Sequence, residues 1–145
     1  MSETPLEPLQ LLEKYLRGSH ILSLATSFQN RPSNRDMYYI VPRKFTDTIY
    51  VTTPANAQKL LEIEANPYVA FATEPTLEDQ GVVTSNTATV ELTDMKINDV
   101  MHLIEAQIPE WEERVGRGRD NFAILAITFP TVKIFGNQGI EAITL

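Results

Sequence analysis

Apolar and polar residues alternate along most of this chain in short runs, and helical spacing is confined to a few segments. Near the start, Leu9, Leu12 and Leu16 recur at intervals of three and four residues, which places them on one face of an amphipathic helix. Gly18 follows them as a stop signal. The pattern therefore predicts an N-terminal helix over about residues 5–17.

Strand-length runs rich in β-branched and aromatic residues occupy most of the remaining sequence. The first three runs are separated by turn-forming residues and by a loop of hairpin length, so they predict an antiparallel meander. There are seven such runs in all, and they predict about six strands. The runs lie at 21–26, 37–41, 48–53, 68–73, 81–92, 121–129 and 132–135.

Two further helices are predicted between the strands, and both are short. One contains Lys59 and Ile63 and ends at Asn66, because the residue before a proline avoids helical geometry. The other covers residues 98–106. Since helices do not follow every strand, the pattern disfavours a doubly wound α/β sheet. It favours a mainly β fold, an antiparallel barrel that is closed or partly open.

Length and composition are those of one globular domain, residues 1–145. The chain has 145 residues, of which 43% are hydrophobic, and it has no cysteine. No apolar stretch approaches the ~20 residues needed to span a bilayer, and no secretory signal is visible. We therefore expect a cytoplasmic protein that does not enter a membrane and that carries no thiolate chemistry.

Charge is unevenly distributed along the chain. There are 12 basic and 19 acidic residues, a balance that argues against nucleic-acid binding. Residues 31–59 reverse this balance, because they contain five basic and two acidic residues. Such a positive island in an acidic chain indicates a local site for a small anion. The alternative is a chance excess of charge on a solvated face.

The sequence contains no motif typical of an enzyme that catalyses its reaction with its own side chains. His20 and His102 lie far apart without the spacing of metal ligands, and no glycine-rich phosphate loop follows a predicted strand. The glycine-punctuated run 116–119 is better interpreted as a hairpin loop. Trp111 could cover a ligand, and packing at a helix end is the alternative.

One cluster could hold an anion. Arg35 is expected at the start of a strand, and Lys59 early in a helix. Thr52 and Thr53 end the strand between them. If neighbouring strands pair, these hydroxyl groups and cations meet at one rim and, with the helix-start N–H groups, form a phosphate cradle. The alternative is a capped helix, with Thr53-Pro54 as its start signal, and two unrelated surface cations.

Several motifs occur in a characteristic order along the chain. They are Ile21 to Thr26, Arg31-Pro32, Arg35-x-Met37, Ile49 to Thr53, Lys59, Asn66 to Ala70 and Ile127 to Lys133. Each motif is weak alone, but their order and spacing over roughly residues 15–136 are specific. Together they resemble the pyridoxamine 5′-phosphate oxidase-related family of FMN-binding split-barrel proteins.

This resemblance implies a six-stranded split barrel of Greek-key type that forms a homodimer, with two FMN sites between the subunits. Arg35 and Lys59 would bind the phosphate. Thr53 and Thr52 would assist them. Further residues are implied beside or over the flavin ring. They are Met37, Tyr38 and Tyr39 on one strand, Gln80 in a loop, and Trp111 as an aromatic cover from the partner chain.

The chain also departs from the family pattern. Ala57-Gln58 stands where phosphate-binding members often have Ser-Arg before the lysine, and Ile40 stands where the oxidase has a basic residue. The oxidase's C-terminal substrate motif, with its arginine and histidine, is absent from the sequence. The resemblance therefore does not imply oxidation of pyridoxamine phosphate itself.

From these observations we expect an FMN-dependent oxidoreductase that acts on a small molecule, with NAD(P)H as a candidate electron donor. Flavin would supply the hydride chemistry for which the chain has no machinery of its own. The alternative is a non-catalytic dimer that binds or senses FMN, a flavin-like anion or haem. A nucleic-acid-binding barrel is a third possibility. It is disfavoured because no strand interleaves aromatic and basic residues.

Overall fold

Antiparallel strands and a few short helices make up the computed structural model, which describes residues 6–116, 119–137 and 139–145. The strands are β1 (Ile21–Phe28), β2 (Arg31–Ile40), β3 (Thr48–Pro54), β4 (Tyr68–Thr73), β5 (Val82–Leu92), β6 (Phe122–Thr128), β7 (Thr131–Gly136) and β8 (Gly139–Thr144). The helices are α1 (Pro8–Arg17), α2 (Gln58–Ala65), α3 (Ile97–Gln107) and α4 (Trp111–Val115), with a 3₁₀ turn at Arg119–Asn121.

Six of the strands close into a barrel in the order β1-β2-β3-β6-β5-β4, and β4 pairs back with β1. Every pairing is antiparallel, and β4 lies beside β1 in the 4-1-2-3 order of a Greek key. β7 pairs with β5, and β8 pairs with β7, so these two strands extend the sheet beyond the barrel. The prediction of a mainly β fold with a six-stranded antiparallel barrel is confirmed.

The first hairpin differs from its prediction. Only Gln29 and Asn30 form its turn, with φ angles of +52° and +65°. Positive φ at both central residues is the requirement of a two-residue type I′ loop. The expected turn over 29–34 is therefore too long. Because β2 already begins at Arg31, Arg35 lies inside the strand opposite Leu24 and does not open it.

Helix α1 covers part of the barrel interior. It begins at Pro8, later than predicted, with Glu7 as the N-cap residue, and residues 1–5 lie outside the described part of the chain. Its inward face is apolar and includes Tyr15, whose ring packs directly on the backbone of Gly81 and Gly136. A Cβ at either glycine would overlap that ring, so both positions require a residue without a side chain.

A second apolar cluster lies outside the barrel and holds α3 and α4 there. Along β2, successive side chains point to opposite faces of the sheet. Tyr39 therefore enters the barrel core, whereas Ile40 packs into the outer cluster. Gln107 fastens the end of α3 to this strand, because its side-chain amide exchanges two hydrogen bonds of 2.8 Å with the backbone of Val41. The outer cluster contains Ile40, Ile97, Val100, Ile104, Ile108, Trp111 and Ile124.

Two elements were not predicted. Helix α4 is only one turn long, and β8 has mostly exposed side chains, so neither carries a clear periodic pattern. The expected hairpin loop at 116–119 is untested, because residues 117 and 118 lie outside the described residues. No helix in the described part of the chain is long and apolar enough to cross a membrane.

Candidate functional site

The two strands β2 and β3 part from each other soon after they meet. They are paired only at Tyr39–Val51 and Ile40–Tyr50. On their other sides, β2 is paired with β1 from Arg31 to Tyr38, and β3 with β6 along its whole length. The edges of β2 and β3 that face each other therefore carry backbone N–H and C=O groups that no ladder between these two strands uses.

A cavity of about 340 Å³ opens at this split. Its size is within the range of small-molecule sites, about 300–1,000 Å³. One part of its wall is apolar, and the rest carries hydroxyl groups, a carboxylate and an ammonium group. The lining residues are Ile21, Asp36, Met37, Tyr38, Thr52, Pro54, Lys59, Val115 and Phe122. Four of the residues predicted for cofactor binding are among them, namely Met37, Tyr38, Thr52 and Lys59.

The backbone around β3 explains how Lys59 reaches the cavity. Thr53-Pro54 does not start a helix, as the sequence suggested, because both residues are still in β3, where Pro54 lies opposite Phe122. The chain then turns, and α2 begins at Gln58 with Ala57 as an N-cap that makes no side-chain hydrogen bond. Lys59 is thus the second residue of α2, beside the end of β3.

Lys59 is a half-buried cation, and within the described residues no carboxylate oxygen lies within 4.0 Å of its ammonium nitrogen. Burial lowers the pKa of this ammonium group below the usual 10.5, and the positive charge of Arg35 lowers it further. A cation that is partly desolvated and has no anionic partner is suited to bind an anion.

Arg35 lies close enough to influence Lys59 but does not line the cavity. Its Nη1 donates a 3.2 Å hydrogen bond to Thr26 Oγ1. Its Nη2 lies 3.7 Å from Glu62 Oε2, and the two side chains are only 23% and 15% exposed. The structure thus brings the two predicted cations together. It also places Glu62 beside Arg35. The sequence did not predict this neighbour, because only the fold brings the two residues together.

Thr53 contributes a buried hydroxyl group. The residue is 1% exposed, and its Oγ1 has no hydrogen-bond partner among the described residues. An unpaired buried hydroxyl costs about 1–3 kcal/mol and is uncommon in folded proteins. Its neighbour Thr52 lines the cavity. Thr53 itself is not among the lining residues, so its contact with a ligand stays a prediction.

Tyr38 belongs to a small polar network at the cavity wall. Its ring stacks on His20 at 5.9 Å between centroids, and His20 Nε2 lies 2.9 Å from Glu110 Oε2. Burial raises the pKa of the Tyr38 hydroxyl, as does the nearby Glu110 carboxylate. The backbone N–H of Glu110, and then His20, lower the pKa of that carboxyl group. Because Glu110 immediately precedes α4, the network fixes this helix against β2.

Besides Arg35 and Thr53, three more of the predicted residues do not line the cavity. Tyr39 points into the barrel core, where its hydroxyl donates a 2.6 Å hydrogen bond to the carbonyl of Leu16. Trp111 is 1% exposed and packs edge-on against Phe122, so it supports the cavity wall from behind. Gln80 is exposed in the turn before β5, with φ +54°. Their contacts with a cofactor stay predictions.

Comparison with known proteins gives one family and several similar folds. The family model described as pyridoxamine 5′-phosphate oxidase matches residues 10–135. A solved structure from Clostridium acetobutylicum, of a protein related to general stress protein 26 of Bacillus subtilis, has a TM-score of 0.70 at 12% identity, with 97% of each chain covered. No curated protein matches the sequence significantly.

Two other similar structures have names that mention a ligand. An FAD-binding protein from Mesorhizobium loti has a TM-score of 0.65 at 16% identity, with 95% of each chain covered. A haem-binding protein from Mycobacterium smegmatis has a TM-score of 0.73 at 11% identity, and the match covers 98% of this chain and 60% of that protein. At such identities the likeness establishes the fold alone.

The two buried threonines give a matched test of the site. Thr53→Val should leave the free energy of unfolding unchanged or raise it, because it removes an unpaired hydroxyl group. Thr26→Val should lower it by about 1–2 kcal/mol, because Arg35 loses its acceptor. Urea denaturation of the two variants measures this difference. An equal loss for both variants would show that the Thr53 hydroxyl has a partner in the free protein.

Proposed function

This chain belongs to the pyridoxamine 5′-phosphate oxidase family, and on that basis we propose that it binds FMN at the split between β2 and β3 and acts as a flavin-dependent oxidoreductase on a small molecule. The observation that carries the proposal concerns Lys59. Its half-buried side chain lines the cavity, and in the described chain no carboxylate oxygen lies within 4.0 Å of its ammonium nitrogen.

The residues around the cavity fit the chemistry of FMN, which combines a flat ring, a polar ring edge and a phosphate group. Apolar walls that include Met37 and Phe122 suit the ring. The unpaired backbone edges beside them suit the polar ring edge. Lys59, with the hydroxyl group of Thr52, suits the phosphate. Bound flavin would supply the hydride transfer, so the chain's own task is to hold and orient it.

The departures from the oxidase pattern have structural counterparts. Ile40 is buried in the outer cluster, so this position packs apolar side chains and offers no cation to a ligand. Ala57 caps α2 without a side-chain hydrogen bond. These differences support a substrate other than pyridoxamine phosphate, and they leave the phosphate of FMN dependent on few side chains.

A second candidate function is binding or sensing without turnover, with haem as an alternative ligand. It is supported by the name of the haem-binding structural neighbour and by the position of His20 next to the cavity residue Ile21. The His20 ring nitrogen Nε2 is already engaged by Glu110, which counts against an axial-ligand role for that nitrogen. A flat Soret region after haem addition would remove the haem alternative.

Removal of the Lys59 charge should separate phosphate recognition from ring recognition. Lys59→Ala should weaken FMN binding about 10- to 100-fold, the loss expected for one charge-assisted contact, and riboflavin binding by less than about 3-fold. Flavin fluorescence quenching measures both constants. Lys44→Ala, which removes an exposed cation that does not line the cavity, is the control. Equal losses for the two flavins would contradict the assignment of Lys59 to the phosphate.

The same contact should give a characteristic pH dependence. A lysine whose pKa is lowered loses its charge at a lower pH than the usual 10.5. The preference for FMN over riboflavin should therefore decline as the pH rises toward that value, and Lys59→Arg should flatten the decline because a guanidinium group stays charged.

Catalysis and simple binding differ in how the flavin responds to a reductant. If the protein is an oxidoreductase, NADH or NADPH should bleach the flavin absorbance of the reconstituted protein within seconds under anaerobic stopped-flow conditions. Free FMN under the same conditions is the control. A bound flavin that stays oxidised with both nucleotides would favour the binding or sensing function.

We further propose that the protein acts as a homodimer. Large apolar side chains stand exposed around a groove between α2 and the strands β4 and β5, and a second copy of the chain would cover them. Leu61 and Leu92 line this groove, and Tyr68 lies next to it. Their exposed fractions are 61%, 59% and 71%.

A charge placed in this groove should weaken the dimer. Leu92→Asp should shift the mass measured by light scattering from about twice the chain mass toward that of one chain. Leu77→Asp is the matched control, because Leu77 is 96% exposed on the loop between β4 and β5, away from the groove. A monomeric wild-type protein would contradict the dimer, and a Leu92→Asp dimer would place its interface elsewhere.

A further inference from the structure

The inward side of α2 carries charges of opposite sign one helical turn apart. Lys59 and Glu62 are separated by three residues, a spacing that places side chains on the same side of a helix. Arg35 reaches this side from the strand β2 and interacts with both of them. A carboxylate is therefore built into the pair of cations, Arg35 and Lys59, that the family resemblance assigns to the phosphate.

The contact between Arg35 and Glu62 is only a partial pairing. At 3.7 Å, the distance between Nη2 and Oε2 is too long for a hydrogen bond, and Nη1 is directed to Thr26. A bidentate arginine–carboxylate pair would use two short parallel hydrogen bonds. Arg35 therefore keeps donors that a better acceptor could take, while Glu62 holds the guanidinium beside α2.

Because the Glu62 carboxylate is largely buried, its charge acts strongly on an anion that enters the site. Both side chains are mostly shielded from water, so their charges are screened less than those of an exposed pair. Lys59, Arg35 and Glu62 together carry one net positive charge. A phosphate monoester carries about two negative charges at neutral pH. The carboxylate thus competes with the phosphate for Arg35.

We propose that Glu62 sets the selectivity of this site for phosphorylated over unphosphorylated flavin, by holding Arg35 in competition with the phosphate group. The proposal rests on the proposed function, because it concerns the same cavity. In the wild-type protein, the phosphate must displace the Glu62 carboxylate from Arg35 before both cations can bind it. Without that carboxylate, Arg35 and Lys59 match the charge of a phosphate dianion.

The test compares Glu62→Gln with Glu78→Gln in the full chain. Both substitutions remove one negative charge, but the side chain of Glu78 is exposed on the loop between β4 and β5. Glu62→Gln should tighten FMN binding by about tenfold or more and leave riboflavin binding within about twofold. Glu78→Gln should change neither. In an Arg35→Ala background, the effect of Glu62→Gln on FMN should disappear, because no guanidinium is left to release.

Inorganic phosphate serves as a second probe that needs no flavin, with its dissociation constant taken from ³¹P NMR titration. Tighter phosphate binding by Glu62→Gln without any flavin binding would uphold the role of Glu62 and overturn the proposed function. The preference for FMN is the ratio of its binding affinity to that of riboflavin. If Glu62→Gln keeps the wild-type thermal stability and this ratio is unchanged or lower, the role of Glu62 is overturned. An increase that persists with Arg35→Ala would also overturn it, because the effect would then not act through Arg35.

Discussion

The parting of β2 and β3 is the constraint on which the rest of the site depends. Antiparallel neighbours in this barrel are otherwise paired over longer stretches, as β1 is with β2 and β3 with β6. Two paired positions hold β2 and β3 together, and beyond them the strands diverge and the cavity opens. The outer cluster and the link from Gln107 to Val41 brace β2 from behind. The split is thus a supported feature of the barrel.

Charge is the second determinant of the site. Two cations of this acidic chain lie near the split, and their positive charges have different partners. Arg35 is shared between Thr26 and Glu62, whereas Lys59 is half-buried with no carboxylate oxygen within 4.0 Å in the described chain. The buried hydroxyl of Thr53 is a further polar group that has no hydrogen-bond partner among the described residues. Together these features favour a ligand that carries negative charge at one end and is otherwise flat and apolar.

Much of the fold could be predicted from the sequence, because period-two alternation reports directly on which side of a strand is buried. The convergence of Arg35 and Lys59 followed from the expected strand pairing. The predictions that were wrong concern features that depend on tertiary structure. Gln29 adopts a positive φ without being glycine, and Thr53-Pro54 stays in a strand that β6 extends. The ion partner Glu62 could not be read from spacing alone, since it meets Arg35 only when α2 docks on the barrel. For Trp111, the structure shows the alternative of packing at a helix end.

A structure of the protein in complex with FMN tests the central claim most directly. The account predicts the ring in the cavity between β2 and β3, and the phosphate within hydrogen-bond distance of Lys59 Nζ, with the Arg35 guanidinium turned from Glu62 toward it. A phosphate bound elsewhere, with Lys59 facing solvent and Arg35 still paired with Glu62, would contradict it.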